Sequence, residues 1–376
     1  MTRPALLLLL STFACFFVSA QSLKEKIQAK LDSFQKAGHY PAVSMAIEGG
    51  KLPGYFSSGY IDTVKKVPVT HNSMFLQGSV GKTYCAAILF KLIGSGKLSL
   101  DDKASMYLGK YAWFSRLPNA ADLTIRNLMQ HTSGVMRYEF KPAFTKDLTD
   151  NPHKKWKPEE LLHYILDEKA SFAAGTSWEY SDTNFIILGM IIEEITGKKY
   201  YTLVNDWLLQ PFHLAHTLPS DDYILPGLAQ GFAGPDNEFG GKDEMIASNG
   251  EVIVNPQFEW TGGGIYSTTT DLAKWCKLLY EGKVFSKRWL DTMELSAVPA
   301  KLGPKTEYGY GVIVRHHAVA GVMYGHSGFF PGYLTEAYYI PSLQTVIALQ
   351  ANSSNFKVLR GSLLRCMNEV ITILME

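Results

Sequence analysis

The chain has 376 residues, of which 46% are hydrophobic and 19% are charged. This length and composition are sufficient for one large domain, or two smaller ones, with an extensive buried core. The formal net charge is only +1, so nothing in the overall charge indicates a nucleic acid or an anionic membrane surface as a partner.

The N-terminus has the pattern of a secretory signal peptide. A basic start is followed by an apolar run from Ala5 to Val18, and residues 18–20 are the small residues of a cleavage site. We therefore predict a signal peptide at 1–20 and an exported protein, periplasmic or secreted, that comprises residues 21–376. A membrane anchor is the alternative, but the apolar run is short for a bilayer span. The mature chain is predicted to have no membrane span.

Predicted strands lie near the two ends of the chain. The first two form a hairpin through the turn Gly49-Gly50, and Pro341-Ser342 makes the turn between the last two. The predicted strands are Val43–Ile47, Tyr55–Ile61, Tyr308–Val314, Met323–Gly325, Thr335–Ile340 and Thr345–Ala351.

Predicted helices begin and end the mature chain and dominate its middle. They are Leu23–Ala37, a core helix that begins near Ser79 and ends at Gly94, Pro158–Ala170, Phe185–Thr196, Tyr200–Leu209, a helix from Thr268 to Gly282, and Val358–Leu374. Strands at both ends with helices between them predict an α+β fold. We expect one antiparallel sheet flanked by the N- and C-terminal helices, with a helical lobe of roughly residues 101–254 inserted. A cleft between the sheet and the helices would hold the site.

The core helix carries reactive side chains at its start. Ser79 and Lys82 are three residues apart, so on a helix their side chains share one face. A serine hydroxyl is a poor nucleophile until a neighbouring base takes its proton, and a lysine in a dry site can be that base. The free N–H groups at the helix start suit a developing oxyanion.

Two further stretches could complete a serine site. Tyr180 precedes an apolar helix, and its phenol could act as a base if a cation such as Lys82 lowered its pKa. Around His326 and Ser327 we predict a strand that ends in a polar, glycine-flanked turn, where a backbone N–H after Gly328 could face the oxyanion. Taken alone, the first stretch favours a packing tyrosine, and the alternative for the second is a surface turn with a solvated histidine.

Other conspicuous residues lack the pattern of a reactive site. His131 is predicted to be structural, and His316-His317 has no carboxylate or cysteine at ligand spacing. The glycines at 262–264 lack the lysine of a phosphate-binding loop. We therefore predict no metal and no cofactor.

Three motifs in this order resemble those of the serine β-lactamase-like and penicillin-binding family. They are Ser79-Val-Gly-Lys82, Tyr180-Ser-Asp182 and His326-Ser-Gly328. Within this family, the three motifs resemble most those of class C β-lactamases, D-alanyl-D-alanine carboxypeptidases and related esterases. Flanking segments that also look like the family are 96–102, 128–134, 263–273 and 308–311, so the likeness covers nearly the whole mature chain.

The resemblance implies a role for each motif. Ser79 would be the acylated nucleophile, with Lys82 and Tyr180 sharing its proton; which of the two is the base stays open because a coupled pair titrates as a unit. The backbone N–H groups of Ser79 and Phe329 would form the oxyanion hole. The residues implied for substrate binding and the oxyanion hole are Asp182, His326, Ser327, Gly328 and Phe329.

Two departures from the family pattern bear on the substrate. Asp182 stands where the family often has asparagine, and His326 where many members have lysine. Both weaken the binding of an anionic substrate, unless arginines from loops compensate. We predict a serine hydrolase for an ester or amide, of the carboxypeptidase, carboxylesterase or β-lactamase type; the alternative is a penicillin-binding sensor that acylates without turnover. The partner is a small molecule or peptide, no nucleic acid is expected, and the oligomeric state stays open.

Overall fold

One large antiparallel sheet forms the centre of the molecule. The computed structural model describes residues 22–237 and 241–376, so the predicted signal peptide at 1–20 lies outside the described residues. The strands in chain order are β1 (Ala42–Gly49), β2 (Gly54–Asp62), β3 (Val67–Pro68), β4 (Met74–Leu76), β5 (Thr217–Pro219), β6 (Ile265–Thr268), β7 (Val298–Pro299), β8 (Glu307–Tyr308), β9 (Ile313–His317), β10 (Gly321–Phe330), β11 (Tyr333–Ile340) and β12 (Thr345–Ala351). The large sheet has the order β3-β2-β1-β12-β11-β10-β9-β8-β7, and a small sheet has the order β4-β6-β5.

Helices cover both faces of the large sheet. They are α1 (22–37), α2 (Lys82–Gly94), α3 (Ser105–Leu108), α4 (Ile125–Met129), α5 (Pro142–Asp150), α6 (Pro158–Leu162), α7 (Asp182–Thr196), α8 (Tyr200–Val204), α9 (Trp260–Gly263), α10 (Thr269–Tyr280), α11 (Lys287–Leu295) and α12 (Leu363–Leu374). Helices α3 to α8 lie in the part of the chain predicted to be an inserted lobe. None of the helices in the described parts of the chain is long and apolar enough to cross a membrane.

The first and last helices pack on one face of the sheet. Ile27 of α1 and Met367 of α12 belong to a single buried cluster with Met45 and Leu349 from the two central strands. Burial of this apolar surface is the main force that holds α1 and α12 against the sheet. The predicted α+β fold, with an antiparallel sheet flanked by terminal helices, is confirmed.

The opposite face of the sheet is covered by α10, which in turn holds α2. The Trp275 ring stacks on the Tyr84 ring with 4.2 Å between centroids, and its indole N–H donates to Thr83 Oγ1 at 2.8 Å. Every residue of α2 except Lys91 and Gly94 is buried. The predicted core helix is therefore present, and its packing against α10 fixes the position of its N-terminus.

Three predicted helices are shorter than expected. One of them, predicted as Tyr200–Leu209, is α-helical only to Val204 and continues as a π-helix from Asn205 to Leu209. The helix predicted to reach Ala170 leaves α geometry after Leu162, because Asp167 has φ +63° and its N–H donates to Arg116 O at 2.8 Å. The last helix begins only at Leu363, where Ser362 caps it by accepting a hydrogen bond from Arg365 N at 3.3 Å. Tertiary contacts and capping therefore decided boundaries that hydrophobic spacing alone had misplaced.

Strand β10 is longer than predicted, and this moves a motif. The expectation of a turn at His326 was wrong, because β10 stays paired with β11 from Tyr324 through Phe330. The predicted strand at 308–314 is also divided, since the chain bends at Gly311, which has φ +77°. His326, Ser327 and Gly328 are therefore held by a sheet rather than by a turn.

Candidate active site

Ser79 lies on a single 3₁₀ turn, Gly78–Gly81, directly before α2. The turn is in backbone contact with β10: a Cβ on Gly78 would be 2.3 Å from Phe329 O, and one on Gly328 would be 1.9 Å from Gln77 O. Only glycine permits so close an approach of two backbones. The N–H groups of Ser79 and Phe329, predicted to form the oxyanion hole, thus belong to facing segments.

This contact predicts the effect of one added methyl group. Gly328→Ala should lower both the melting temperature and the activity, because the new Cβ would force β10 away from the Ser79 turn; overpacking of this kind costs about 1–3 kcal/mol. Thermal unfolding and ester hydrolysis would measure the two effects. Gly94→Ala is the matched control, since its nearest neighbouring atom would be 3.4 Å away. Equal melting temperatures for the two variants would contradict the steric argument.

Lys82 lies beneath Ser79 and is fully buried. Its Nζ contacts three oxygen acceptors: Ser79 Oγ at 3.1 Å, Gly262 O at 2.6 Å, and Asp182 Oδ1 in a short ion pair. An ammonium group has three donors and no acceptor, so this arrangement matches a charged lysine. The glycine segment 262–264, which lacks the lysine of a phosphate-binding loop, has a different role: the carbonyl oxygen of Gly262 holds Lys82.

Tyr180 is held above Lys82 by a buried histidine. The His131 ring lies 4.2 Å from the Tyr180 ring, and its Nδ1 accepts a hydrogen bond from Ser181 N at 3.2 Å. Lys82 Nζ is 4.9 Å from the centre of the Tyr180 ring. Burial raises the pKa of the Tyr180 phenol well above its usual value, and the Asp182 carboxylate adds to this rise, which the Ser79 hydroxyl opposes. The phenol is therefore neutral at physiological pH.

Asp182 connects Lys82 to a second cation. Its Oδ2 is 2.9 Å from Arg137 Nη2, and Arg137 Nε also donates to Glu139 Oε1 at 2.6 Å. Burial alone would raise the pKa of the Asp182 carboxyl, but Lys82 and Arg137 hold it well below its usual range. Burial, with the Asp182 charge, raises the pKa of Glu139 well above its usual value. The network thus has two cations, one carboxylate and one neutral acid.

Glu259 is a further carboxyl at the cleft. Burial raises its pKa to about 8, with a contribution from Asp182 that Lys82 and Arg137 oppose. Its Oε2 atom is buried and has no hydrogen-bond partner among the described residues. The next residue, Trp260, has φ +38°, which is a strained conformation for a bulky side chain. The strained turn at 259–262 presents this carboxyl and the Gly262 carbonyl to the same site.

His326 is neutral and its two ring nitrogens are both engaged. Nδ1 lies 2.6 Å from Ser327 O, which can only accept, so Nδ1 carries the proton. Nε2, 3.0 Å from the Tyr308 hydroxyl, is then the acceptor. Burial, reinforced by the Lys82 charge, lowers the pKa of His326 to about 3. It therefore offers no positive charge to a substrate carboxylate.

Ser327 lines the cleft but its hydroxyl is already bonded. The Oγ atom donates to Glu336 Oε2 at 2.7 Å and lies 3.2 Å from the Tyr338 hydroxyl. Burial raises the pKa of Glu336 to about 7. Ser327 thus joins the site wall to a polar cluster on the neighbouring strand.

One cleft of about 730 Å³ brings the predicted site residues together. Lys82 lies below it, in contact with Ser79. The predicted residues that line the cleft are Ser79, Tyr180, Asp182, His326, Ser327, Gly328 and Phe329. Residues that the sequence did not single out also line it: Arg137, Glu139, Phe140, Glu259 and Phe356 among others.

The sequence of a known family matches almost all of this chain. A family model described as Beta-lactamase aligns with residues 27–364. The chain belongs to the β-lactamase family. The resemblance drawn from the three motifs is thereby confirmed, and with it the assignment to the serine hydrolases.

Relatives of this β-lactamase-family protein include proteins of Bacillus subtilis and Staphylococcus aureus. Penicillin-binding protein 4* of Bacillus subtilis is 25% identical over 356 residues, which cover 88% of this chain and 72% of the relative. Teichoic acid D-alanine hydrolase of Staphylococcus aureus is 27% identical over 352 residues, 90% of this chain and 79% of the relative. The D-amino acid amidase of Ochrobactrum anthropi SV3 has the same fold, with a TM-score of 0.81, 23% identity, and coverage of 94% and 99%.

Two of the residues that the sequence missed share one property within this family site. Arg137 and Glu139 follow the segment 128–134, which looked like a family segment, and they are charged residues close to buried apolar ones. Charged residues next to buried apolar ones could therefore have indicated a functional role from the sequence. Glu259 had no such signal, because only the fold brings it near Lys82.

Proposed function

We propose that this protein is an exported serine hydrolase that forms an acyl-enzyme on Ser79 and hydrolyses an aminoacyl ester or amide. The convergence of Ser79, Lys82 and Tyr180 supports the acyl-enzyme. The signal peptide predicted at 1–20 supports secretion with cleavage after Ala20. The cleft, with its mixed charged and apolar lining, supports a small-molecule or peptide substrate.

Proton transfer from Ser79 involves the whole charged group. Lys82 in its ammonium form cannot take the serine proton, and the Asp182 carboxylate, whose pKa is held well below its usual range, stabilises that charged form. The reactive form would be the one in which the Lys82–Tyr180 pair has released one proton to solvent; this pair would take the proton of Ser79 and pass it to the leaving group, so that its own protonation is the same before and after the step. The N–H groups of Ser79 and Phe329 would stabilise the oxyanion.

Among the described residues, the cationic side chains at the cleft already have ion-pair or hydrogen-bond partners. Lys82 and Arg137 share Asp182. Arg315 donates to the Tyr338 hydroxyl and to Thr306, and Lys357 is paired with an aspartate at the rim. A substrate carboxylate would therefore have to displace an existing partner. This disfavours β-lactams and D-alanyl-D-alanine peptides, most of which carry a free carboxylate.

A single observation carries the choice of an aminoacyl substrate: Glu259 has a buried oxygen without a hydrogen-bond partner in the described parts of the chain. Glu259 also lines the cleft, and a substrate ammonium bound beside it would lower the cost of ionising the carboxyl. A relative named teichoic acid D-alanine hydrolase supports a D-amino acid as the acyl group. The proposed substrate class is accordingly a D-aminoacyl ester or amide with a free amino group.

One substrate pair tests this proposal. The parent protein should hydrolyse D-alanine 4-nitroanilide with a higher kcat/KM than N-acetyl-D-alanine 4-nitroanilide, which lacks the charge. Glu259→Gln should lower kcat/KM for the free amine about tenfold, because hydrogen bonds to charged groups contribute about 1.5–3 kcal/mol. It should leave the acetylated substrate nearly unaffected.

The matched control is Glu294→Gln. Glu294 also has a pKa raised by burial to about 8, but it does not line the cleft. Equal losses for both substrates in Glu259→Gln would contradict an ammonium site. A chromogenic cephalosporin and a D-alanyl-D-alanine peptide belong in the same panel, because rapid turnover of either would favour the β-lactamase or carboxypeptidase type. Stoichiometric acylation of Ser79 without turnover of any substrate would indicate a sensor.

A further inference from the structure

Two phenylalanine rings form an exposed apolar surface at the mouth of the cleft. Phe329 is 44% exposed and Phe356 is 66% exposed. Their ring centroids are 6.0 Å apart with 22° between the ring planes, so the rings are stacked. We call this pair the aromatic shelf. Exposed apolar surface beside a reactive centre is typical of a binding site.

The backbone that carries Phe356 is firmly held although the ring is exposed. Ser353 Oγ donates to Phe232 O at 3.0 Å, and Ser354 N donates to the same carbonyl at 2.9 Å. On the other side, Gly332 N donates to Ser354 Oγ at 2.8 Å. The shelf is therefore a preorganised surface, which lowers the entropic cost of binding a ligand.

The other half of the shelf is continuous with the reacting atoms. Phe329 directly follows Gly328 and its backbone is in contact with that of Gly78, the residue before Ser79. The proposed oxyanion donor and an exposed ring thus belong to the same residue. When the carbonyl oxygen of a substrate contacts the Phe329 N–H, a side chain attached to that acyl group therefore lies near the Phe329 ring.

We propose that the aromatic shelf binds the apolar side chain of the acyl group, so that the enzyme prefers acyl groups with a large alkyl or aryl side chain. This inference rests on the proposed acyl-enzyme mechanism and adds a second specificity element to it. The acyl group, unlike the leaving group, remains attached to Ser79 until water releases it. A surface fixed next to Phe329 therefore acts in both half-reactions.

The far end of the shelf limits the length of this side chain. Lys357 and Asp236 both line the cleft and form a short ion pair there. Both side chains are largely exposed, so the pair keeps its hydration and disfavours an apolar group beyond the two rings. An aryl ring or a branched alkyl chain fits between the reacting carbonyl and this polar rim.

The test compares two acyl groups with one leaving group. For the parent, kcat/KM should be higher for D-phenylalanine 4-nitroanilide than for D-alanine 4-nitroanilide. Phe356→Ala should reduce this ratio about fivefold, since it removes one aromatic contact worth about 0.5–1.5 kcal/mol. Val319→Ala is the control, because Val319 is 65% exposed and does not line the cleft; it should leave the ratio unchanged.

A second series separates the acyl group from the leaving group. It keeps the D-alanyl group and compares the 2-naphthylamide with the simple amide. If Phe356→Ala alters this series and not the acyl series, the shelf binds the leaving group and the inference is overturned. If Phe356→Ala leaves the ratio of kcat/KM for the D-phenylalanyl and D-alanyl substrates unchanged, the inference is also overturned. The proposed acyl-enzyme mechanism still holds in that case, provided that turnover depends on Ser79. Turnover that persists in Ser79→Ala would instead refute the mechanism.

Discussion

Replacing Ser79 with alanine is expected to abolish nearly all turnover, and replacing Lys82 with alanine is expected to do the same. The two side chains are hydrogen-bonded at 3.1 Å, and a nucleophile and its proton acceptor act as a unit. Each loss should reduce kcat by about 10⁴- to 10⁶-fold. The double variant should be little worse than either single one. Kinetics with D-alanine 4-nitroanilide would measure all three.

Folding must be followed separately in these variants. Loss of Lys82 leaves the buried Asp182 with Arg137 as its remaining cation, so a lower melting temperature is expected for Lys82→Ala and not for Ser79→Ala. His326→Ala should cost less activity than either, because His326 is neutral and contacts Tyr308 rather than Ser79. Full activity in Ser79→Ala would exclude it as the nucleophile. Strictly additive losses in the double variant would show that the two residues act independently.

Replacing Asp182 with asparagine is expected to invert the charge preference of the site. The carboxylate of Asp182 is the counterion of both Lys82 and Arg137, and its removal leaves Lys82 without a carboxylate partner and Arg137 with Glu139 alone. A unit charge several ångströms away in a protein changes an interaction by roughly 2–4 kcal/mol. The variant should therefore raise kcat/KM for an anionic cephalosporin by about tenfold or more. A neutral ester should gain much less.

The measurement is a pair of kcat/KM values, for the cephalosporin and for a 4-nitrophenyl ester, on both proteins at one pH. Unfolding should be recorded as well, since two buried cations lose a partner in the variant. Equal effects on the two substrates would refute the electrostatic explanation. Asp182→Glu is the control that keeps the charge, and it should not raise the activity on the cephalosporin.

The parts of the site that could be predicted from sequence are those whose relation is local. Ser79 and Lys82 are three residues apart, so helical geometry alone puts them together. Tyr180 and His326 were placed through motif order and family resemblance, because no local rule connects them to Ser79. The turn predicted at His326 was wrong, because the glycines on either side of His326 and Ser327 suggested a turn, whereas pairing with β11 keeps the chain extended through Phe330.

The charge balance of the site could not be predicted, because it depends on long-range contacts. Asp182 was expected to repel anionic substrates, and a compensating arginine was only a general possibility. Arg137 supplies that compensation from a loop about 45 residues earlier in the chain. Glu259 lies outside every helix and strand predicted from the sequence, and its relation to Lys82 exists only after α9 has packed against the Ser79 turn.

The central position of β1 has a consequence for how the chain acquires its structure. Val43 pairs with Ser58 on one side, but on the other side its partner is Ala351, roughly 300 residues later. Contacts so distant in sequence make folding slow. Until β12 has been synthesised, β1 presents an apolar edge without its neighbour, and such edges pair readily with other chains. Any interruption of the chain before residue 345 leaves this edge permanently open.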